Sequence, residues 1–180
     1  MIQTIRIGHL LREAVTTPYR NLVTRPTGVA VRNRIEATLA CSDCLTAVLD
    51  FSEVELLDLS CADEVVAKLL LAGTSPARFV VLGGLREDQH EAIEHVLTHH
   101  RLAVAAVPLP EPGEPRLLGW VTSDARAAFA CICDRGPMDA AELARRLGWS
   151  DARARESIDA LASHRLVRPD GALVHPLPIA

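Results

Sequence analysis

Aromatic side chains are scarce in this chain: three Phe, two Trp and one Tyr in 180 residues, although hydrophobic residues make up 49%. Its core must therefore be aliphatic, built from Leu, Val, Ala and Ile. Lysine is scarcer still, with one against eighteen arginines, and the net charge is −4. That balance argues against a general polyanion binder and leaves room only for a local basic patch. No apolar run reaches the ~18–20 residues of a membrane span. A basic-then-apolar leader is also missing at the N-terminus, so a cytoplasmic protein without membrane contact is expected. Five cysteines, an odd number, fit reduced thiols better than a disulfide framework.

Catalytic and metal motifs are thin as well. Cys41 and Cys44 have C-x-x-C spacing, but no second pair follows at useful distance, and two small residues in a helix-to-strand turn account for them. Cys131 and Cys133 lie two apart on an expected helix and point to different faces. His95 and His99 share a helix face, with His100 beside them, yet no H-E-x-x-H is present, and a solvated helix end is expected. Gly83-Gly84 follows a strand without a dinucleotide or phosphate-loop pattern. No nucleophile–base or paired-carboxylate arrangement can be assembled. The expectation is a non-enzymatic protein with no catalytic residue, metal or cofactor.

What is present is organised around Leu45 to Ala72. Leu45 to Phe51 has the composition of a strand buried on both faces. Ser60, with Asp63 three residues on, reads as a helix N-cap. Val65, Val66, Leu69 and Leu70 then form an apolar stripe that packs back on the sheet. A strand running into a capped helix leaves backbone N–H groups at the loop, a corner that receives an anion or a partner side chain or is plain architecture.

Around this pair the chain alternates. Ile2 to Ile7 reads as a strand, His9 to Val15 as a helical turn broken by Pro18, and Tyr19 to Thr24 as a second strand. Thr24 caps a helix with Val29, Ile35 and Leu39 on its apolar side and Arg32 and Arg34 at polar positions. Arg78 to Leu82 is a buried strand, Leu85 to His100 an amphipathic helix, and Leu102 to Val107 the last strand. Such alternation implies an α/β layer with parallel crossovers. Three prolines and a glycine in Leu109 to Arg116 read as a linker. The expected division is 1–108, a 109–116 linker, and 117–180.

The last segment has a different rhythm. Thr122 or Ser123 caps a helix through Cys133, Ala140 to Leu147 is a second, ended by Gly148, and Ser150 caps a third from Asp151 to Ser163. Leu166 to Val174 then reads as two short strands around Pro-Asp-Gly. Three helices and a hairpin in about sixty residues form a winged helix-turn-helix pattern. Leu143 to Ser150 (LARRLGWS) resembles the helix–turn–helix corner of MarR-like and ArsR-like regulators. In such a fold the third helix enters the major groove. Arg153 and Arg155 would reach bases or phosphates, Ser150 starts that helix, and Arg145, Arg146 and the wing residue Arg168 would hold the backbone. Residues 117–180 nonetheless balance eight arginines with eight acids.

Three pieces of the first segment carry a further likeness: Arg25 to Arg32 (RPTGVAVR), Leu49 to Val54 (LDFSEV) and Asp58 to Glu64 (DLSCADE). On them, residues 1–107 resemble a STAS-like domain related to bacterial anti-sigma-factor antagonists. The resemblance implies an α/β STAS-like domain followed by a small α+β winged helix-turn-helix domain. It also implies a partner-binding loop at Asp58, Ser60 and Asp63. In the antagonists this loop carries a phosphorylated serine in an Asp-Ser-Ser-Gly pattern. Here Leu59 occupies the usual acceptor slot, Ser60 matches the second serine and Cys61 replaces the glycine. Arg25 and Arg32 would be anion contacts or structural ion-pair partners.

The expected function is a regulator whose first module receives a histidine-kinase-like ATPase or another regulatory protein, and whose second binds double-stranded DNA. The alternative is an interaction or dimerisation scaffold, a homodimer among its forms, without nucleic acid.

Overall fold

The structure, a computed structural model, describes residues 1–15, 20–73, 78–111 and 113–179. Its centre is a five-stranded sheet. β1 (Ile2–Arg6), β3 (Thr46–Asp50), β5 (Phe79–Gly83) and β6 (Ala103–Val107) run parallel in the order β1-β3-β5-β6, and β7 (Arg116–Gly119) joins antiparallel to β6. The chain is thus an α/β protein with a mixed sheet. A two-stranded parallel ribbon, β2 (Asn21–Leu22) with β4 (Leu56–Leu57), stands apart from it. No helix among the described residues is long and apolar enough to cross a membrane.

The apolar runs AVL, VVLG and AVAAV of β3, β5 and β6 are continuous because both sheet faces are covered. Successive side chains point to opposite faces. Ala47, Leu49, Val80, Leu82, Val104 and Ala106 enter one core cluster. Val48, Phe79, Val81, Ala103, Ala105 and Val107 enter the other.

The first cluster lies under α1 (Ile7–Ala14), α2 (Arg25–Ala40), α5 (Glu87–His99) and a composite helix: α3 (Leu59–Ala62), a π-helical segment Asp63–Lys68, and α4 (Leu69–Ala72). On α2 the buried stripe is Gly28, Val31, Ile35 and Leu39, so Val31 rather than Val29 carries the face. Thr24 stands at the start of α2 at φ 70° but makes no side-chain cap bond. Pro18 and Tyr19, expected as a breaker and a strand start, lie outside the described residues.

The second face receives α6 (Ser123–Arg135), α7 (Ala140–Leu147) and α8 (Asp151–Ser163), followed by the hairpin β8 (Arg168–Asp170) and β9 (Leu173–His175). Phe129, Ile132, Leu143, Ala154, Leu161, Leu166 and Val174 share one cluster with the sheet residues. The expected break at 109–116 is therefore not a break in the core. The segment turns the chain back onto the sheet edge, Arg116 and Leu117 already pairing with Ala106 and Ala105. The sheet face exposed by an aliphatic five-strand layer is large, and the nearest apolar cover in sequence is the following three-helix unit.

Helices α5 and α8 end alike. Leu102 N–H donates to Leu97 O at 2.8 Å and Leu166 N–H to Leu161 O at 2.9 Å, with Arg101 and Arg165 at φ 54° and 58°. Both are Schellman turns with arginine in the left-handed slot that glycine usually takes.

Gly119 ends β7 at φ 100°, and a Cβ there would stand 2.2 Å from Leu102 O and 2.8 Å from Leu97 Cβ. Gly119→Ala is expected to cost about 2–4 kcal/mol, read as a lower urea midpoint in the full chain. A linker glycine at this position would tolerate the change.

Candidate functional site

The corner where β4 enters α3 is fixed by Asp58, not by Ser60. Asp58 Oδ1 accepts the Cys61 N–H at 2.7 Å and Oδ2 accepts the Thr24 N–H at 2.8 Å, so one carboxylate starts α3 and anchors the start of α2. Burial pushes its carboxyl up, but the backbone N–H bonds from Cys61 and Thr24 outweigh this and hold it below the ordinary range. Ser60 lies two residues into the helix, half-buried, so the expected Ser60–Asp63 cap is not formed. An ionised acceptor two residues earlier takes the free N–H more strongly than a hydroxyl would. Cys61 is buried, within 3.0 Å of Thr24 O, and burial followed by the Asp58 charge pushes its thiol up to about 12. It is no nucleophile.

Beyond the corner the helix widens into its π segment and turns two acids toward α2 and α5. Single π turns often mark functional positions. Glu64 is 1% exposed. Its Oε1 lies 2.6 Å from Arg25 Nη1 and 2.5 Å from Lys68 Nζ, and its Oε2 3.2 Å from Arg32 Nη1. Asp63 reaches His100 Nε2 at 2.7 Å and Arg25 Nη1 at 3.0 Å. For both acids burial raises the carboxyl pKa, and the surrounding partners, Lys68 and Arg25 for Glu64, His100 and Arg25 for Asp63, bring it below the usual value. Arg25 and Arg32 thus serve as ion-pair partners, the alternative the sequence reading held open: Arg25 meets Asp63 and Glu64, and Arg32 meets Glu64.

Glu64 and Lys68 were not singled out from sequence, and His100, expected with His95 and His99 at a solvated helix end, instead pairs with Asp63. The Glu64–Lys68 spacing of four inside an apolar helix was the available signal. Gln89 completes the frame: buried at the start of α5, its Nε2 donates to Val54 O at 2.8 Å and its Oε1 accepts the Arg86 N–H at 3.0 Å.

Outside the network, Leu56 and Leu59 stand 51% and 50% exposed. Arg25, Leu59, Ser60, His95 and His99 line a groove of about 340 Å³ between α3 and α5. Among the described residues, no three of the His, Cys, Asp and Glu side chains form a metal-binding group.

The other expected site lies on the C-terminal helices, and the structure neutralises most of it. Arg145 Nε and Nη2 donate to Glu142 at 2.9 and 2.7 Å, and Arg146 Nε lies 2.6 Å from the same carboxylate. Arg153 Nε and Nη2 both donate to Asp124 at 2.7 Å, and its guanidinium lies 4.5 Å from the Trp149 ring centroid. Ser150 caps α8, its Oγ accepting the Arg153 N–H at 3.2 Å. Arg155 is exposed and Arg168 half-buried, and neither has a carboxylate partner among the described residues. No protein-family profile matches the chain, and no curated protein sequence matches it either.

Glu64→Gln removes the anion that three cations share and is expected to cost about 3 kcal/mol near neutral pH. The sign with pH follows from the lowered carboxyls. Their stabilisation is present above the unfolded carboxylate range, ~4, and is lost as pH falls through the lower folded values. The native chain should therefore lose stability progressively below about pH 5, and the variant should show a flatter acid limb in urea titrations.

Proposed function

We propose that this protein is a non-enzymatic regulator in which a STAS-like α/β unit receives a protein partner at the β4–α3 corner and carries a winged-helix unit on its other sheet face. The observation that carries this reading is the pair of half-exposed leucines, Leu56 and Leu59, on a corner locked by Asp58 and flanked by the Arg25–Asp63–Glu64–Lys68–His100 network. Exposed leucines on a rigid, charge-rimmed corner suit a protein contact, because their burial supplies affinity without an ordering cost at the backbone. By resemblance to the anti-sigma-factor antagonists, the partner is a histidine-kinase-like ATPase; Leu59 stands in that family's phosphoacceptor slot, with Ser60 one residue beyond it. Affinity capture with the full chain against Leu59→Asp tests this. The native chain should retain an ATPase of that class and the variant should lose it; an identical captured set from both would overturn the reading.

DNA contact is the second reading, favoured by Arg155 on α8 and Arg168 on the hairpin, which have no carboxylate partner among the described residues. Two such cations predict weak binding with a log–log salt slope of about −2, against the much steeper slopes of strongly basic proteins. Mobility shifts between about 50 and 200 mM salt measure it. Arg155→Glu with Arg168→Glu should abolish any retardation, and no retardation in the native chain leaves the scaffold role.

A further inference from the structure

Helix α5 ends in histidines that the ion-pair network uses only in part. His95 and His99 stand four residues apart, so they share one face of the helix. Both are exposed, and both line the groove of about 340 Å³ beside Leu59 and Ser60. Neither forms a hydrogen bond or an ion pair with another described residue. His100 differs, because its Nε2 is held 2.7 Å from Asp63 Oδ1. The His99 ring meets it edge-on, with centroids 5.1 Å apart and planes at 83°. That contact restricts His99, so less side-chain freedom is lost when a ligand fixes the ring.

Residues 95–99 read His-Val-Leu-Thr-His. In H-E-x-x-H the two histidines carry the metal and the glutamate serves as general base. Val96 takes the glutamate's place here and is buried in the first core cluster. The spacing that chelates is therefore kept, while the residue that would drive hydrolysis is missing. Cβ atoms one turn apart lie ~5–6 Å from each other. From that span two imidazoles reach one ion at ~2.0–2.1 Å. The surrounding charges do not oppose a cation. Arg25, the cation lining the groove, is already answered by Asp63 and Glu64. The C-terminal end of a thirteen-residue helix favours positive charge as well.

We propose that His95 and His99 chelate a divalent transition-metal ion of the class that imidazole suits, Zn²⁺ or Ni²⁺. Two imidazoles fill half of a tetrahedral sphere, and water takes the rest. Among the described residues no third histidine, cysteine or carboxylate completes the group, so the remaining positions stay open toward the groove. With no base beside it, the site holds an ion rather than running a reaction. It does not rest on the partner reading, because the ion binds the chain alone.

Calorimetric titration of Ni²⁺ into the full chain, free of any histidine tag and in chloride buffer without chelator, tests the proposal. One equivalent should bind saturably, with Kd below about 1 mM. His95→Gln and His99→Gln should each weaken binding by at least the ~10–100-fold that loss of an outer-shell partner costs. Both side chains are exposed, so the metal-free unfolding midpoint of each variant should stay near that of the native chain. The exposed thiol of Cys41 is a rival ligand, and Cys41→Ser should bind Ni²⁺ as the native chain does. Absence of saturable binding, binding that survives both histidine changes, or binding lost with Cys41→Ser overturns the proposal.

Discussion

The carboxylate of Glu64 lies inside the protein and must be neutralised where it lies. Arg25 and Arg32 come from α2 and Lys68 from the next turn of the same helix, while the neighbouring Asp63 recruits His100 from the end of α5. Three helices are thereby held by charge at distances apolar packing alone would leave adjustable. A buried acid costs free energy unless it is fully partnered, so the network constrains geometry more than it adds stability. The π segment is part of that constraint, since it sets Asp63 and Glu64 at the network together. The exposed leucines at the head of the helix inherit the rigidity, and for that reason the corner is read as a docking surface.

A second constraint is the sheet itself. Side chains alternating between two core clusters make each strand answer to both halves of the chain. The α6–α8 unit cannot be treated as a free DNA-reading module on a tether. Leu161 and Leu166 share a cluster with Val81 and Ala105, so displacement of the unit would uncover the sheet. Motion of one face would therefore reach the other through small shifts of a packed layer. That is a different physical device from domain swinging.

The elements were largely legible in the sequence because they rest on local periodicity. Leu45 to Phe51, Ala140 to Leu147 and Asp151 to Ser163 are where apolar spacing, Asp/Ser caps and Gly148 put them. What was hidden depends on contacts distant along the chain. The proline-studded stretch 109–116 reads as a linker because turn chemistry looks the same whether the chain leaves a sheet or doubles back onto it, and only the pairing of β7 with β6 decides. Ser60 lost the cap to Asp58 because the latter also holds Thr24, thirty-four residues away. Likewise the pairing of Arg153 with Asp124, across twenty-nine residues, removes a charge that the helix pattern alone leaves in solvent.

The twin Schellman turns carry one more implication. Glycine would relieve the left-handed backbone at Arg101 and Arg165, where an L side chain costs roughly 1 kcal/mol. Yet each guanidinium lies 5.8 Å from an aromatic centroid, Arg101 over Trp120 and Arg165 over Phe79. Such a stack is worth a comparable ~0.5–1 kcal/mol at a partly exposed site. Penalty and reward nearly cancel, so the arrangement contributes little to the depth of the folded well. Its effect is on alignment: each helix is latched, by the arginine just past its end, to a ring in the sheet (Phe79) or just beyond it (Trp120), in a chain with only six Phe, Trp and Tyr rings to latch onto.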